Sequence, residues 1–433
     1  MADQGLQVLG GSTAVVPVVA TQALGRGAIA ATVAGNALEF YDFLTYSAFS
    51  VYIGKAFFPT DSALASLLLS LATFGVGFCT RPLGGVLIGA YADRAGRRPA
   101  LMLTISLITV GTLGLALTPS YASIGVAAPI ILVISRLLQG LALGGEVGPS
   151  TAVLLECAPP GRRGALVSWQ GASQGMAILA SGAAGIGVSL LLSKQQLAEW
   201  GWRLPFLLGL ALVPVGIYLR SKLPETLEAP GTRSGSEVLR LLWNDYRRPL
   251  LLGLLIIMCL TISTYITNYM TTYALVTLGM PPAEAMLATL AQGVCMIFAA
   301  LAGGLWSDRH GRKLVMMAPR ALIVLAIYPA FVLLVAVRTP SALVAVTSGL
   351  AILTSISTAA ALAALAEVFP NHVRSAGLAT SYALSVAVFG GSTQFVIAWL
   401  IGVTGNPLSP AFYVIVSSVI GLWAMAKLPE KRQ

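Results

Sequence analysis

Two carboxylates stand three residues apart within the first long apolar run of the sequence. Glu39 and Asp42 lie in the run 27–53, and their spacing places them on one face of a helix. A charged side chain inside a membrane span costs about 2.5–3.5 kcal/mol and therefore faces a polar interior. A carboxyl group in a dry cavity beside a second acid holds its proton more readily. These residues, with Glu146 in a later run, are candidates for proton coupling; the alternative is that they are structural partners of arginines.

Arg81 and Arg136 lie near the middle of two other apolar runs. A guanidinium group is a planar fork that binds carboxylates through two hydrogen bonds. One interpretation is that these arginines bind the carboxylates of an anionic substrate, and the alternative is that they pair with the internal acids. Arg320 lies only about seven residues into its helix, so its side chain is expected to extend to the cytoplasmic membrane surface.

Polar side chains recur at helical spacing in several of the runs. Such stripes either hydrogen-bond to neighbouring helices or line a substrate path, and the spacing by itself fits both roles. Gln139 follows Arg136 on nearly one face, and Gln174 and Asn268 are the preferred ligands on two further runs. The full predicted substrate-binding set is Arg81, Arg136, Gln139, Gln174, Asn268, Tyr269 and Asn36.

The elements that carry these residues are predicted to be membrane helices. The chain has 433 residues, of which 57% are hydrophobic and only 10% are charged, against about 25% charged residues in soluble domains. At roughly 20 residues a span, this length accommodates about twelve helices. The sequence offers no visible metal-ligand cluster or nucleophile–base pair, which argues against an enzyme, a metal or another cofactor. The expected fold class is an all-α membrane protein with twelve transmembrane helices.

The distribution of charge predicts how the chain is oriented. The formal net charge is +10, but the basic residues lie in short clusters between apolar runs and not on one face, which disfavours nucleic-acid binding. Clustering of Lys and Arg on one side of the bilayer is the positive-inside pattern. We therefore expect a multi-pass protein of an inner or plasma membrane, surrounded by the lipid bilayer, with both termini in the cytoplasm.

A polar stretch divides the apolar runs into two groups of six. It combines basic residues with prolines, glycines and serines, a composition typical of a cytoplasmic linker. The predicted organisation is a cytoplasmic tail at 1–26, a six-helix bundle at 27–221, the linker at 222–248, a second six-helix bundle at 249–428 and a cytoplasmic tail at 429–433.

Short charged motifs recur in the same order in both halves of the sequence. Asp93-Arg94-Ala-Gly96-Arg97-Arg98 in the first half corresponds to Asp308-Arg309-His-Gly311-Arg312-Lys313 in the second. Glu156-Cys-Ala-Pro159 likewise corresponds to Glu367-Val-Phe-Pro370. A parallel repeat of this kind predicts two pseudo-symmetric six-helix bundles, with the substrate site between them near the membrane midplane.

The repeated acids and bases at the helix ends predict a latch between the two bundles. A carboxylate can pair with arginines and helix ends in one conformation and release them in another. The alternative is that the basic residues anchor the protein to anionic lipid, a role that needs no aspartate. The predicted gating residues are Asp93, Arg94, Arg97, Glu156, Arg163, Asp308, Arg309, Arg312, Glu367 and Arg374.

The repeated Gly-x-x-x-Asp-Arg-x-Gly-Arg-Arg/Lys element resembles the loop between the second and third helices of the major facilitator superfamily. The chain is also similar to the metabolite:proton symporter family within it. This similarity is carried by Gly35-Asn36…Glu39-Phe-Tyr-Asp42-Phe, by Arg81-Pro82-Leu-Gly84-Gly85 and by Arg136-Leu-Leu-Gln139-Gly140. The resemblance implies alternating access and symport of a small metabolite, with protons as the coupling ion and no cofactor.

Two further segments resemble the members of that family that carry citrate and tricarballylate. They are Ser168-Trp169-Gln170…Ser173-Gln174 and Phe389-Gly390-Gly391-Ser-Thr393. This resemblance implies import of a small organic anion, citrate or a related tricarboxylate. Other members carry α-ketoglutarate, shikimate, proline or betaine, which remain alternatives. A drug-efflux antiporter or a binding sensor of the same fold also remains open.

Overall fold

A computed structural model describes residues 26–95, 97–144, 154, 161–221, 235–370 and 373–429. Within these ranges the chain is helical and contains no β-strand. Twelve long helices are numbered α1–α12 in chain order. They are α1 (Arg26–Phe57), α2 (Ala63–Cys79 and Arg81–Ala95), α3 (Arg97–Leu117), α4 (Ala127–Gly144), α5 (Arg163–Leu191), α6 (Leu204–Ser221), α7 (Arg247–Val276), α8 (Pro282–His310), α9 (Arg312–Val337), α10 (Pro340–Val368), α11 (Arg374–Ser385 and Gly391–Thr404) and α12 (Ser409–Lys427).

Short helices connect some of these elements. The connections between α3 and α4 and between α5 and α6 contain Tyr121–Ile124, Lys194–Glu199 and Gly201–Arg203. A further helix, Gly235–Asp245, lies between α6 and α7 within the predicted linker. Its Leu242 is buried against Phe369 and Val373, which flank the connection from α10 to α11. The linker helix therefore packs against the second bundle.

The described helices confirm the predicted all-α membrane fold. Eleven helical segments among the described residues have the length and hydropathy to cross a membrane. The remaining long helix, α1, has 32 residues and is also long enough to span. Its hydropathy is lowered by polar residues in its apolar run, including Asn36, Glu39 and Asp42. Among the described residues, the one long helix outside these eleven segments is thus the one that carries the two predicted proton-coupling acids.

Two of the long helices are interrupted. The α2 helix breaks at Thr80, directly before Arg81 and Pro82. Proline has no backbone N–H and clashes with the preceding turn, which explains a break at this point. The Thr80 hydroxyl donates a 2.9 Å hydrogen bond to the carbonyl oxygen of Leu137 on α4. The α11 helix contains a π-helical turn at Val386–Gly390, a feature that often marks functional sites.

Glycines let the helices approach one another closely. Within the first bundle, a Cβ added at Gly140 of α4 would overlap the carbonyl oxygen of Gly77 on α2. Between the bundles, a Cβ at Gly75 of α2 would meet Gly391 of α11, and one at Gly182 of α5 would meet Leu290 of α8. Such small-residue contacts are typical of packed membrane helices.

The pairs of helices that join the two bundles obey the predicted repeat. The α5 helix packs extensively on α8, and α2 packs on α11. Because α8 is the repeat partner of α2 and α11 is the partner of α5, these two interfaces are equivalent under the six-helix repeat. A third contact joins α1 to α7, which are also repeat partners. A further contact, between α5 and α10, also joins the described parts of the two bundles.

The glycine packing between α2 and α4 generates a stability prediction. Gly140→Ala is expected to lower the free energy of unfolding by about 1–3 kcal/mol, because the added methyl group overlaps backbone atoms that cannot move aside. Gly89→Ala on α2 is the control, since a Cβ at that position has no neighbour within 4 Å. Thermal unfolding in detergent measures the difference. Equal melting temperatures for the two variants would contradict the packing argument.

Candidate functional site

Asp42 of α1 and Arg136 of α4 form a buried pair inside the first bundle. The Arg136 Nη2 atom lies 3.9 Å from Asp42 Oδ2, and the two side chains are 1% and 6% exposed. The side-chain amide of Gln139 donates to the same Asp42 oxygen and also lies 3.0 Å from the Thr112 hydroxyl of α3. The sequence left open whether Arg136 pairs with an internal acid. In the structure, Arg136 and Asp42 lie just within ion-pair distance of each other.

The other side of the Arg136 guanidinium meets an aromatic ring. Its central carbon lies 4.0 Å from the ring centroid of Tyr46 on α1, a cation–π contact. The Tyr46 hydroxyl donates to the carbonyl oxygen of Ser70 on α2. In the described part of the chain, Nε, Nη1 and Nη2 of Arg136 have no hydrogen-bond acceptor. Because buried polar groups normally have a partner, this guanidinium has capacity to bind a further acceptor.

Arg81 of α2 has a different environment. Its guanidinium carbon lies 4.7 Å from the ring centroid of Phe43 and 4.0 Å from that of Phe78. It also faces the hydroxyl of Tyr265 on α7 and that of Tyr382 on α11. The described residues place no carboxylate within ion-pair distance of it, and its Nε and Nη2 atoms lack an acceptor. Arg81 is therefore a buried cation at the junction of the two bundles.

Two predicted ligands lie at this junction. Gln174 of α5 lies beside the Tyr382 hydroxyl and thereby joins the surroundings of Arg81. Asn268 of α7 accepts a hydrogen bond from Gln292 of α8, and its backbone carbonyl lies 3.5 Å from the Ser47 hydroxyl of α1. Residues of α1, α2, α5, α7 and α11 thus contribute polar or cationic groups between the bundles, as the repeat predicted.

Other predicted site residues lie elsewhere. The Asn36 side chain donates to Ser173 at 2.5 Å and accepts from Gln170 at 3.1 Å, so it links α1 to α5 within the first bundle. Tyr269 is buried in the hydrophobic cluster of the second bundle. Glu146 lies outside the described residues, and its predicted role in proton coupling stays a prediction.

Glu39 and Asp42 of α1 both border a cavity within the first bundle. The cavity lies between α1, α3 and α6, and the space in it for the centres of water molecules is about 40 Å³. Its walls are mostly apolar, with Thr109 and Thr112 as the polar residues of α3. The two predicted proton-coupling acids therefore line one common cavity within the first bundle.

Asp308 of α8 joins the two bundles at one end of the molecule. Its two carboxylate oxygens accept the backbone N–H groups of Gly164 and Ala165, both at 2.9 Å, in the first turn of α5. The positive end of a helix stabilises a carboxylate at this position. Arg312 lies 2.6 Å from Asp308 and 2.9 Å from Glu367 of α10. Three of the predicted gating residues therefore form one network.

The remaining predicted gating residues fall into two groups. Arg163 and Arg374 are partly buried at the first turns of α5 and α11, and Arg309 is exposed. The repeat predicts that Asp93 contacts α11 as Asp308 contacts α5. The side chains of Asp93, Arg94 and Arg97, and all of Glu156, lie outside the described residues.

The expectation that Arg320 extends to the membrane surface is wrong. Its side chain is fully buried, and Nη1 donates a 2.5 Å hydrogen bond to the Ser263 hydroxyl of α7. Position along a helix gives the depth of a residue but not the direction in which its side chain points. Here the side chain points into the second bundle and not towards lipid.

The aromatic walls around the arginines were missed from the sequence. Phe43 and Phe78 contact Arg81, and Tyr46 contacts Arg136. Tyr46 lies four residues after Asp42, so helical spacing could have placed it on the same face of α1. Phe78 lies three residues before Arg81 on α2, so the same spacing applies to it. The Phe43 contact could not have been found this way, because it depends on how α1 and α2 pack.

The chain resembles known membrane transporters in sequence and in fold. The model of the family described as sugar (and other) transporter matches residues 27–229 and 228–433. A citrate-proton symporter of Klebsiella pneumoniae is 36% identical over 422 residues, 96% of this chain and 95% of that protein. A proline/betaine transporter of Escherichia coli (strain K12) is 33% identical over 417 residues, 92% and 82% respectively. The crystal structure of a D-xylose-proton symporter matches the fold with a TM-score of 0.77 at 20% identity, over 93% of this chain and 98% of that chain.

The Asp308 network generates a prediction about access to the α5–α8 interface. Asp308→Ala removes the acceptor of two N–H groups and one partner of Arg312, so the two helices should separate more often at this end. A cysteine introduced by Ser168→Cys, at a buried position against Gly304, is expected to react at least about threefold faster with a water-soluble thiol reagent, since about 0.6 kcal/mol suffices for that change. His310→Gln, at an exposed neighbouring position outside the predicted gating set, is the control. Unchanged labelling in Asp308→Ala would count against the latch.

Proposed function

The chain belongs to the sugar (and other) transporter family of the major facilitator superfamily, and on this premise we propose that it is a proton-coupled symporter that imports citrate or a related tricarboxylate such as tricarballylate. It is a multi-pass membrane transporter and not an enzyme. The proposed location is a bacterial inner membrane, with both termini cytoplasmic. The protein acts as a monomer and uses no cofactor, with the proton as its coupling ion.

The observation that carries this proposal is the pair of incompletely satisfied guanidinium groups. Arg81 and Arg136 are buried and have N–H donors without acceptors in the described residues. Guanidinium forks match the geometry of carboxylates, and a buried cation without a partner costs several kcal/mol. An anion with several carboxylates can satisfy both arginines at once. The citrate-proton symporter among the relatives supports the same substrate class.

The Asp42–Arg136 pair suggests how a proton and an anion are coupled. While Asp42 is ionised, it partly neutralises Arg136 and competes with a substrate carboxylate for it. Protonation of Asp42 removes that competition and leaves Arg136 with an uncompensated positive charge. Binding of an anionic substrate then restores neutrality in the low-dielectric interior. Release of the proton favours release of the anion by the same argument.

Alternating access requires contacts that open in turn at the two ends. At the Asp308 end, α8 is bound to the first turn of α5. Further along α1, Ser47 accepts a 2.6 Å hydrogen bond from Gln394 of α11, and Ser50 lies 3.1 Å from Thr272 of α7. Both groups of contacts cross between the bundles on opposite sides of the arginine level. We infer that one group breaks as the other forms.

The charge of the substrate sets the number of protons. Moving a trivalent anion into a negative cell costs about 2.3 kcal/mol per charge per 100 mV, or roughly 7 kcal/mol in total. More than three protons per fully ionised tricarboxylate are needed to make import electrically favourable, and fewer suffice if a protonated form binds. A zwitterion needs one. The 33% identity with a proline/betaine transporter keeps that zwitterionic class as the second candidate, with dicarboxylates and, less favoured, efflux antiport behind it.

The substrate class is tested with reconstituted protein. Proteoliposomes with an inward proton gradient are expected to accumulate labelled citrate or tricarballylate. Accumulation should exceed, by more than about tenfold, that of proteoliposomes whose gradient is dissipated with a protonophore. Tenfold corresponds to about 1.4 kcal/mol. α-Ketoglutarate and betaine are measured in parallel. Accumulation of betaine without citrate or tricarballylate would replace the proposed substrate with the zwitterionic class.

The roles of the charged residues are tested separately. Arg81→Gln and Arg136→Gln are expected to weaken substrate binding at least tenfold, about 1.4 kcal/mol, because each removes a bidentate donor. Asp42→Asn is expected to abolish gradient-driven accumulation and to retain substrate exchange. Arg338→Gln, an exposed arginine at the end of α9, is the control. Normal affinity in both site variants would refute the arginine assignment, and normal accumulation in Asp42→Asn would refute the coupling role.

A further inference from the structure

The cavity that borders Glu39 and Asp42 lies within the first bundle and away from the arginine junction. Besides α1, its walls are α3 and α6. The α3 helix packs on α1, α2, α4 and α6, and α6 packs on α1, α3 and α5. In the described part of the chain, all substantial contacts of these two helices are therefore with their own bundle. The cavity is separate from the space between the bundles in which the substrate is proposed to bind.

The cavity extends along the helix axes. One end is lined by Asp42, Thr112 and Gly209, and the other end by Gly35, Ile105 and Gly216. On each of the three helices the two levels are seven residues apart, so the cavity is about 10 Å long at 1.5 Å per residue. It runs from the level of Asp42 towards the start of α1 and the end of α6. The charge pattern predicts that both of these ends face the cytoplasm.

The two carboxylate oxygens of Asp42 have different surroundings. Oδ2 lies near Arg136 and accepts from Gln139. Oδ1 is buried and has no hydrogen-bond partner among the described residues. Asp42 therefore contacts the positive charge of α4 with one oxygen, while it lines the cavity and retains an acceptor that water can occupy. Glu39 lines the same cavity one helical turn closer to the start of α1.

We propose that this cavity is the path by which Asp42 exchanges its proton with the cytoplasm, separately from the path of the substrate. The proposal rests on the proposed function, because it assumes that Asp42 carries the coupled proton. In the step itself, the O–H bond of protonated Asp42 breaks and the proton passes to water in the cavity, leaving the carboxylate to pair with Arg136. Glu39 lies on the way and can accept and return the same proton.

Size and lining suit this role. About 40 Å³ of space for the centres of water molecules accommodates about three of them at roughly 10–15 Å³ each. The hydroxyls of Thr109 and Thr112 donate to backbone carbonyls one turn earlier at 2.7 and 2.9 Å. The Thr112 hydroxyl also accepts from Gln139, which leaves the lone pairs of Thr109 and one lone pair of Thr112 for water along this wall. Among the described residues, the charged group next to Asp42 is Arg136 of α4, and Glu39 lines the same cavity. Tyr41 and Tyr46 are its titratable aromatic neighbours on α1.

A separate proton path has a consequence for transport. The substrate remains bound between the bundles while the proton leaves through the first bundle. Loss of the proton then restores the Asp42–Arg136 pair and weakens the hold on the substrate. A block in the cavity should therefore slow net proton-coupled transport and leave substrate-for-substrate exchange intact, because exchange needs no deprotonation.

The test compares two substitutions on α6. Val213→Phe places a large ring in the cavity, whereas Val215→Phe adds the same ring at an exposed position of the same helix. In proteoliposomes, Val213→Phe is expected to reduce proton-driven uptake at least tenfold and to change exchange at equal internal and external pH less than twofold. Val215→Phe is expected to match the wild type in both assays. Unchanged uptake in Val213→Phe, or an equal loss of uptake and exchange, overturns the proposal.

A second measurement does not depend on a bulky substitution. Thr109→Cys lines the cavity, and Val110→Cys is the neighbouring, exposed position on α3. A charged methanethiosulfonate reagent applied to the cytoplasmic side is expected to label Thr109→Cys at least tenfold faster than Val110→Cys. Equal labelling would mean that water does not enter the cavity and would overturn the path. Absence of any proton-coupled uptake by the wild type would instead refute the proposed function.

Discussion

The buried charges of Asp42 and Arg136 constrain how the first bundle is built. Removing one partner of a buried pair costs about 3–5 kcal/mol, because the other is left without compensation in a low-dielectric interior. Gln139 and the ring of Tyr46 supply further compensation from α4 and α1. Thr112 connects Gln139 to α3. Interactions around one pair of charges thus connect three helices, α1, α3 and α4. Loss of the negative charge of Asp42 would leave Arg136 without a compensating anion.

Arg81 is a second buried cation, and its surroundings differ from those of Arg136. Aromatic rings and tyrosine hydroxyls surround it, and the described residues supply no carboxylate to neutralise it. Aromatic rings stabilise a cation only partly, by about 0.5–2 kcal/mol. Among the described residues, Arg136 therefore has an acid as its neighbour, whereas Arg81 has only aromatic and hydroxyl groups.

The inter-bundle contacts combine rigid packing with polar groups that can exchange partners. Glycines at the α5–α8 and α2–α11 interfaces bring backbones together without long side chains, so helices can tilt about these contacts at little cost in side-chain rearrangement. The Asp308 network joins α8 to α5, and the Ser47–Gln394 hydrogen bond joins α1 to α11. A rocking motion about the glycine contacts would open one and close the other.

Much of the fold and part of the candidate site followed from the sequence. The scarcity of charge required lipid as the solvent, and the recurrence of the Asp93 motif at Asp308 required two equivalent bundles. Helical spacing placed Glu39 and Asp42 together, and the cost of burial identified Arg81 and Arg136 as residues of a polar interior. The separation of Arg136, which meets Asp42, from Arg81, which meets aromatic rings, came only from the tertiary structure, as did the burial of Arg320. Spacing along one helix fixes which side chains share a face, but the neighbour of that face is set by the packing of helices far apart in the chain.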